Sequence, residues 1–116
     1  MLKVLVCGAG DNGAQVIRQL RKNKNIEIVT LDPRENPAAL DQGLIDKIDV
    51  EETLTPLTLD YVINNVKPDL ILLTTELEDL GLGNAAGMDI LASSLKDELT
   101  SISPVPLIQV ARFGSI

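Results

Sequence analysis

Two short stretches hold the residue types and spacings from which chemistry can be read: Gly8-Ala9-Gly10-Asp11-Asn12-Gly13 and Asp32-Pro33-Arg34. In the first, an apolar run ends at Gly8 and a helix-like segment starts after Gly10, giving a G-x-G-x-x-G turn between strand and helix. Gly8 would allow the sharp exit from the strand. Gly10 would let a pyrophosphate approach without meeting a Cβ, and Gly13 would let the helix pack close to the strand. Backbone N–H groups at the start of that helix would then face the anion. Asp32 ends a second apolar run, near the roughly 20-residue offset at which a carboxylate takes ribose hydroxyls. The competing readings are a tight strand-to-helix turn that binds nothing and an Asp32 that merely caps the Pro33 turn.

Other candidates surround this pair. Asp11 places a carboxylate where phosphates would sit, so it either points to solvent or favours a nucleoside over a pyrophosphate. Arg34 would lie over an adenine, pair with a ribose phosphate, or be a solvated loop charge. Thr74 and Thr75, at the end of a third strongly apolar run, would reach the ribose or carboxamide of a ligand or simply end a strand. Glu76, Glu78 and Asp79 read as a solvated acidic loop rather than a metal site. Cys7 is the single cysteine and the chain has no histidine, which removes the usual Ser/His and Cys/His pairs and a Cys/His zinc site. No metal and no catalytic residue is expected.

The elements that must position these residues follow from the hydrophobic pattern. Residues 2 to 7 form a near-continuous apolar run, as in a strand buried on both faces of a parallel sheet. Ala14, Ile17 and Leu20 recur at helical spacing, and Ile26 to Asp32 is a second strand. A short helix is expected within 38–44 and a short third strand within 45–50, at or near an edge. Thr55-Pro56 opens a helix carrying Leu59, Val62, Ile63 and Val66 on one face. Residues 69–75 are a fourth strand, Met88, Leu91, Ala92, Leu95 and Leu99 mark a further helix, and 107–111 are a fifth strand. Alternating elements with right-handed crossovers predict a single α/β domain over 1–116. It would be a Rossmann-like three-layer αβα fold with a mostly parallel five-stranded sheet in the order 3-2-1-4-5.

Composition narrows the function classes. The chain has 116 residues, a formal net charge of −7 and 2% aromatic residues. It therefore lacks both the positive field and the stacking platforms of nucleic-acid binders. No segment approaches the roughly 20 apolar residues of a membrane helix, and no basic stretch with a cleavage site opens the chain. A cytoplasmic protein without direct membrane insertion is expected.

Four segments carry a resemblance: 4–13 (Val-Leu-Val-Cys-Gly-Ala-Gly-Asp-Asn-Gly), 29–34 (Val-Thr-Leu-Asp-Pro-Arg), 72–79 (Leu-Leu-Thr-Thr-Glu-Leu-Glu-Asp) and 106–112 (Pro-Leu-Ile-Gln-Val-Ala-Arg). From Met1 to about Arg112 the chain resembles the nucleotide-binding domains of potassium-transport regulators (KTN, also called TrkA-N or RCK domains). The resemblance implies a non-catalytic Rossmann domain that binds NAD(H) first, or ATP, ADP or AMP. It also implies a homodimer or partner protein, including a membrane transporter. By position, Gly8, Gly10 and Gly13 would hold the phosphates, Asp32 the ribose, and Thr74 and Thr75 the far end; Ala9, Asp11, Asn12, Pro33 and Arg34 complete the candidate site. A second resemblance, over 48–56 and 63–74, is to the pre-ATP-grasp lobe of carbamoyl-phosphate-synthase-like ligases, which would need a partner polypeptide. An orphan NAD-binding half of a dehydrogenase is the third alternative.

Overall fold

A computed structural model describes residues 1–74 and 86–110. Its elements are β1 (Leu2–Cys7), α1 (Asp11–Leu20), β2 (Ile26–Leu31), α2 (Ala38–Asp41), α3 (Pro56–Val66), β3 (Leu70–Leu73), α4 (Met88–Ile102) and β4 (Leu107–Gln109). All strand pairs are parallel, and the sheet runs β2-β1-β3-β4. Val4, Leu5, Val6 and Cys7 of β1 are fully buried, as a central parallel strand requires. Each such aliphatic side chain contributes on the order of 1.5–3 kcal/mol on burial.

The period-two alternation of β1 divides the core. Leu5 and Cys7 pack with Leu59 and Val62 of α3 and with Ala92 and Leu99 of α4. Val4 and Val6 face the other way, against Ala14 and Ile17 of α1 and Ala39 of α2. Helices thus cover both faces of the sheet, an α/β arrangement compatible with a Rossmann-like three-layer fold. α3 begins where the Thr55-Pro56 pair predicts, with Thr55 Oγ1 accepting the Thr58 N–H at 3.1 Å. It ends at Lys67, whose left-handed backbone (φ 56°) turns the chain into Pro68 and β3. On α4, Ala92 and Leu99 are buried as the periodicity predicts, whereas Leu91 is half exposed.

Among the described residues the five-stranded order 3-2-1-4-5 is corrected to four strands, in the order β2-β1-β3-β4. Instead of a strand over 45–50, the described chain makes one isolated parallel bridge, between Leu31 and Val50. The reason lies in Asp49. Its carboxylate, not a backbone carbonyl, accepts the Thr30 N–H at 2.9 Å and approaches the Thr30 hydroxyl at 3.2 Å. Only Val50 then pairs in the ladder manner, donating to Thr30 O and accepting from Asp32 N–H. A side chain that takes a ladder donor ends the strand at one residue.

Candidate functional site

Strand order reverses at β1, since β2 lies on one side and β3 and β4 on the other. In open α/β sheets ligands bind outside the carboxyl ends of the strands at such a point. The glycine turn stands there. Gly8 leaves β1 with φ 109°, a conformation open to glycine at no steric cost. Its N–H still donates to Leu31 O at 2.8 Å, so the turn begins in register with β2. α1 then starts at Asp11, capped by Gly10 with no side-chain hydrogen bond. The first intrahelical bond is Ala14 N–H to Gly10 O at 2.7 Å. The N–H groups of Asp11, Asn12 and Gly13 have no partner within the helix.

Gly13 is the residue that brings helix and turn together. A Cβ built on it would lie 1.8 Å from Gly8 O and 3.0 Å from Thr74 Oγ1. No side chain fits there, as the spacing of the glycines predicts. Thr74, fully buried, supports the turn from β3: its hydroxyl lies 2.7 Å from Gly8 O and 3.1 Å from Cys7 O, with Gly8 O the closer acceptor. Thr74 is therefore bonded beneath the turn rather than presented at the surface. Thr75, with Glu76, Glu78 and Asp79, lies outside the described residues.

Asn12 joins three elements. Buried to 2% exposure, its Nδ2 donates to Thr74 O at 3.3 Å and to Val110 O at 3.2 Å, tying the start of α1 to the chain leaving β3 and β4. Two carbonyl acceptors fix the amide orientation, and Oδ1 is left buried without a partner. Such an orphan acceptor costs on the order of 1–3 kcal/mol. Asp11, one residue earlier, is exposed at the first turn of α1.

Asp32 is fully buried and faces inward. Its Oδ2 accepts the Ala9 N–H at 2.8 Å and Arg34 Nη2 at 2.8 Å; its Oδ1 accepts the Arg34 N–H at 2.9 Å and Nε at 3.0 Å. The carboxylate thus caps the Pro33 turn, forms a bidentate ion pair and holds the glycine turn. Pro33 and Arg34 are partly buried. α2 adds a further tie, Ala39 N–H to Ala9 O at 2.8 Å. The spacing of the motif signals neither this tie nor the one from Asp32 to Ala9; both depend on how the segment after β2 returns over the turn.

The Cys7 thiol lies fully buried at the end of β1, and burial pushes its pKa up to about 12. It is a neutral core group at physiological pH. Among the described residues no group of three or more His, Cys, Asp or Glu is placed to hold a metal ion, and no helix is long and apolar enough to cross a membrane. No protein-family model matches this chain, and no curated protein is significantly similar to it.

Proposed function

We propose that this chain is a non-catalytic nucleotide-binding domain of the cytoplasm, one that binds a nicotinamide dinucleotide or an adenine nucleotide and passes its occupancy to a second copy or a partner protein. The observation that carries the reading is the construction of the turn at the carboxyl end of β1. Gly8 has positive φ, Gly13 is pressed against Gly8 O, and α1 opens at Gly10 without a side-chain cap. We read that combination as a helix N-terminus set to meet an anion at the switch point of the sheet, with Asp11 the exposed residue of the turn. Asp32 and Arg34 stand at the adjoining end of β2, where the ribose of a bound nucleotide would lie. The resemblance to potassium-transport regulatory domains fits the same reading and adds a transporter as one kind of partner.

The chain's chemistry favours binding over turnover. It has no histidine, and its one thiol stays protonated. The apolar side chains that α3 exposes, Leu57 at 84% and Tyr61 at 64%, line an open depression of about 340 Å³ with Glu52 and Thr58. A surface of that kind suits contact with another protein.

Calorimetric titration with NADH, NAD, ATP and AMP tests the proposal. Saturable binding of at least one is expected, with a rise in thermal stability as ligand exceeds its Kd, about 2.7 kcal/mol at a hundredfold excess. No binding at millimolar concentration refutes it. Turnover of a hydride acceptor would replace it with the dehydrogenase reading.

A further inference from the structure

Charge is unevenly placed along this chain. Residues 12–26 contain no acidic residue, yet Arg18, Arg21, Lys22 and Lys24 bring four of the ten lysines and arginines together there. All four are exposed, at the end of α1 and in the turn after it. Arg18 and Lys22 donate to the neutral side-chain oxygens of Gln42 at 2.9 Å and Gln19 at 3.1 Å. None of the four meets a carboxylate among the described residues.

Residues 48–66 show the reverse. They contain no lysine or arginine, and Glu51, Glu52 and Asp60 are exposed. Glu52 shares the open depression on α3 with Leu57, Thr58 and Tyr61, so a carboxylate, a hydroxyl, an aromatic ring and an aliphatic side chain adjoin one space. That set accepts a guanidinium: the carboxylate pairs with its charge, the ring takes its flat face, and the aliphatic surface covers its stem. The two regions cannot meet within one molecule, because α1 packs on the Val4 and Val6 face of the sheet and α3 on the Leu5 and Cys7 face.

We propose that the basic end of α1 docks on the α3 depression of a second copy of this chain, with Arg21 as the inserted side chain. The Arg21 guanidinium, unlike that of Arg18, carries no hydrogen bond among the described residues, so docking breaks no existing contact. Placement on opposite faces also sets the mode. A two-fold dimer would need both patches on one side, so the contact is heterologous, head to tail, and repeats from copy to copy. This goes beyond the nucleotide-binding reading and does not depend on it.

Analytical ultracentrifugation of the full chain at physiological ionic strength tests this. The weight-average mass is expected to rise with concentration and to pass that of a dimer by about 1 mM. Glu52→Arg and Arg21→Glu each set like charges against one another and should weaken self-association about tenfold or more. Mixing the two variants restores opposite charges at every junction between unlike copies, so the mixture should associate about as strongly as wild type. A chain that stays monomeric at about 1 mM overturns the proposal and leaves the depression to a basic partner of different sequence. A dimer that grows no further overturns it too, as does self-association that either variant leaves unchanged or a mixture as weak as its components. The wild-type measurement needs no substitution, so a poorly folding variant does not remove the test.

Discussion

The carboxylate of Asp32 accepts the backbone N–H of Ala9 at 2.8 Å, so the residue that ends one strand holds the glycine turn that ends its neighbour. Sequence separation hides this relationship, and it changes what Asp32 does. Asp32 organises the turn from inside, with its carboxylate fully buried. Asp32→Ala removes the acceptor of the Ala9 N–H and of three Arg34 donors. We expect a loss of about 2 kcal/mol in urea unfolding, less than for a fully buried pair because Arg34 keeps access to water.

Gly13→Ala is expected to be the most damaging single-methyl change in the turn. The added carbon would lie 1.8 Å from the carbonyl oxygen of Gly8, and backbone rather than a flexible side chain would have to yield. A loss of about 3 kcal/mol or more, read as a fall in the denaturation midpoint, is the expected outcome. A midpoint within error of wild type would show that the turn is not this tightly packed.

Thr74→Val preserves shape and β-branching while deleting the hydroxyl that lies 2.7 Å from Gly8 O. It should cost about 1–2 kcal/mol, whereas Thr74→Ser, which keeps the donor, should cost less. Thermal unfolding of the two variants side by side separates the hydrogen bond from the packing.

Cys7 supplies a pH dependence. The folded thiol is held neutral to about 12, against an ordinary value of 9.0. The unfolded chain therefore loses this proton above pH 9 while the folded chain keeps it. Stability contributed by the neutral thiol is present in full below pH 9 and falls as pH rises towards 12, by up to about 1.4 kcal/mol per unit. Compared with Cys7→Ala, the wild-type protein should show the steeper decline in this range. Its thiol should also react with a soluble disulfide reagent only on unfolding.

Asp11→Asn should move stability and affinity in opposite directions. Asp11 is the acidic residue in the first turn of α1 and complements the helix dipole, so its loss should cost about 0.5 kcal/mol. The same substitution removes a negative charge from the end of the helix proposed to meet phosphate. Nucleotide affinity should rise about two- to fivefold at low salt, and less at high salt. Unchanged affinity would place the anion elsewhere.

Much of this molecule was legible in local pattern. The uninterrupted apolar run of β1, the 3.6-residue spacing on α1 and α3, and the Thr55-Pro56 start are short-range signals, and each element formed where its signal lay. The glycine turn was legible for the same reason, because a positive φ at Gly8 and a missing Cβ at Gly13 are demands that only residue type can meet. The strand expected within 45–50 was not legible. Its outcome depended on whether Thr30 found a carbonyl or a carboxylate, and Asp49, 19 positions away, supplied the carboxylate.

By itself, then, the order of residues determined the α/β class, the strand-turn-helix at the start of the chain and the residues gathered at its carboxyl edge, because propensity, periodicity and glycine geometry act within a few positions. Tertiary structure alone decided the number of strands, the burial of Thr74 and Asn12 beneath the turn, and the direction in which Asp32 points. Those outcomes turn on competition among donors and acceptors far apart in the chain, and a buried carboxylate is settled by whichever donors the fold brings to it.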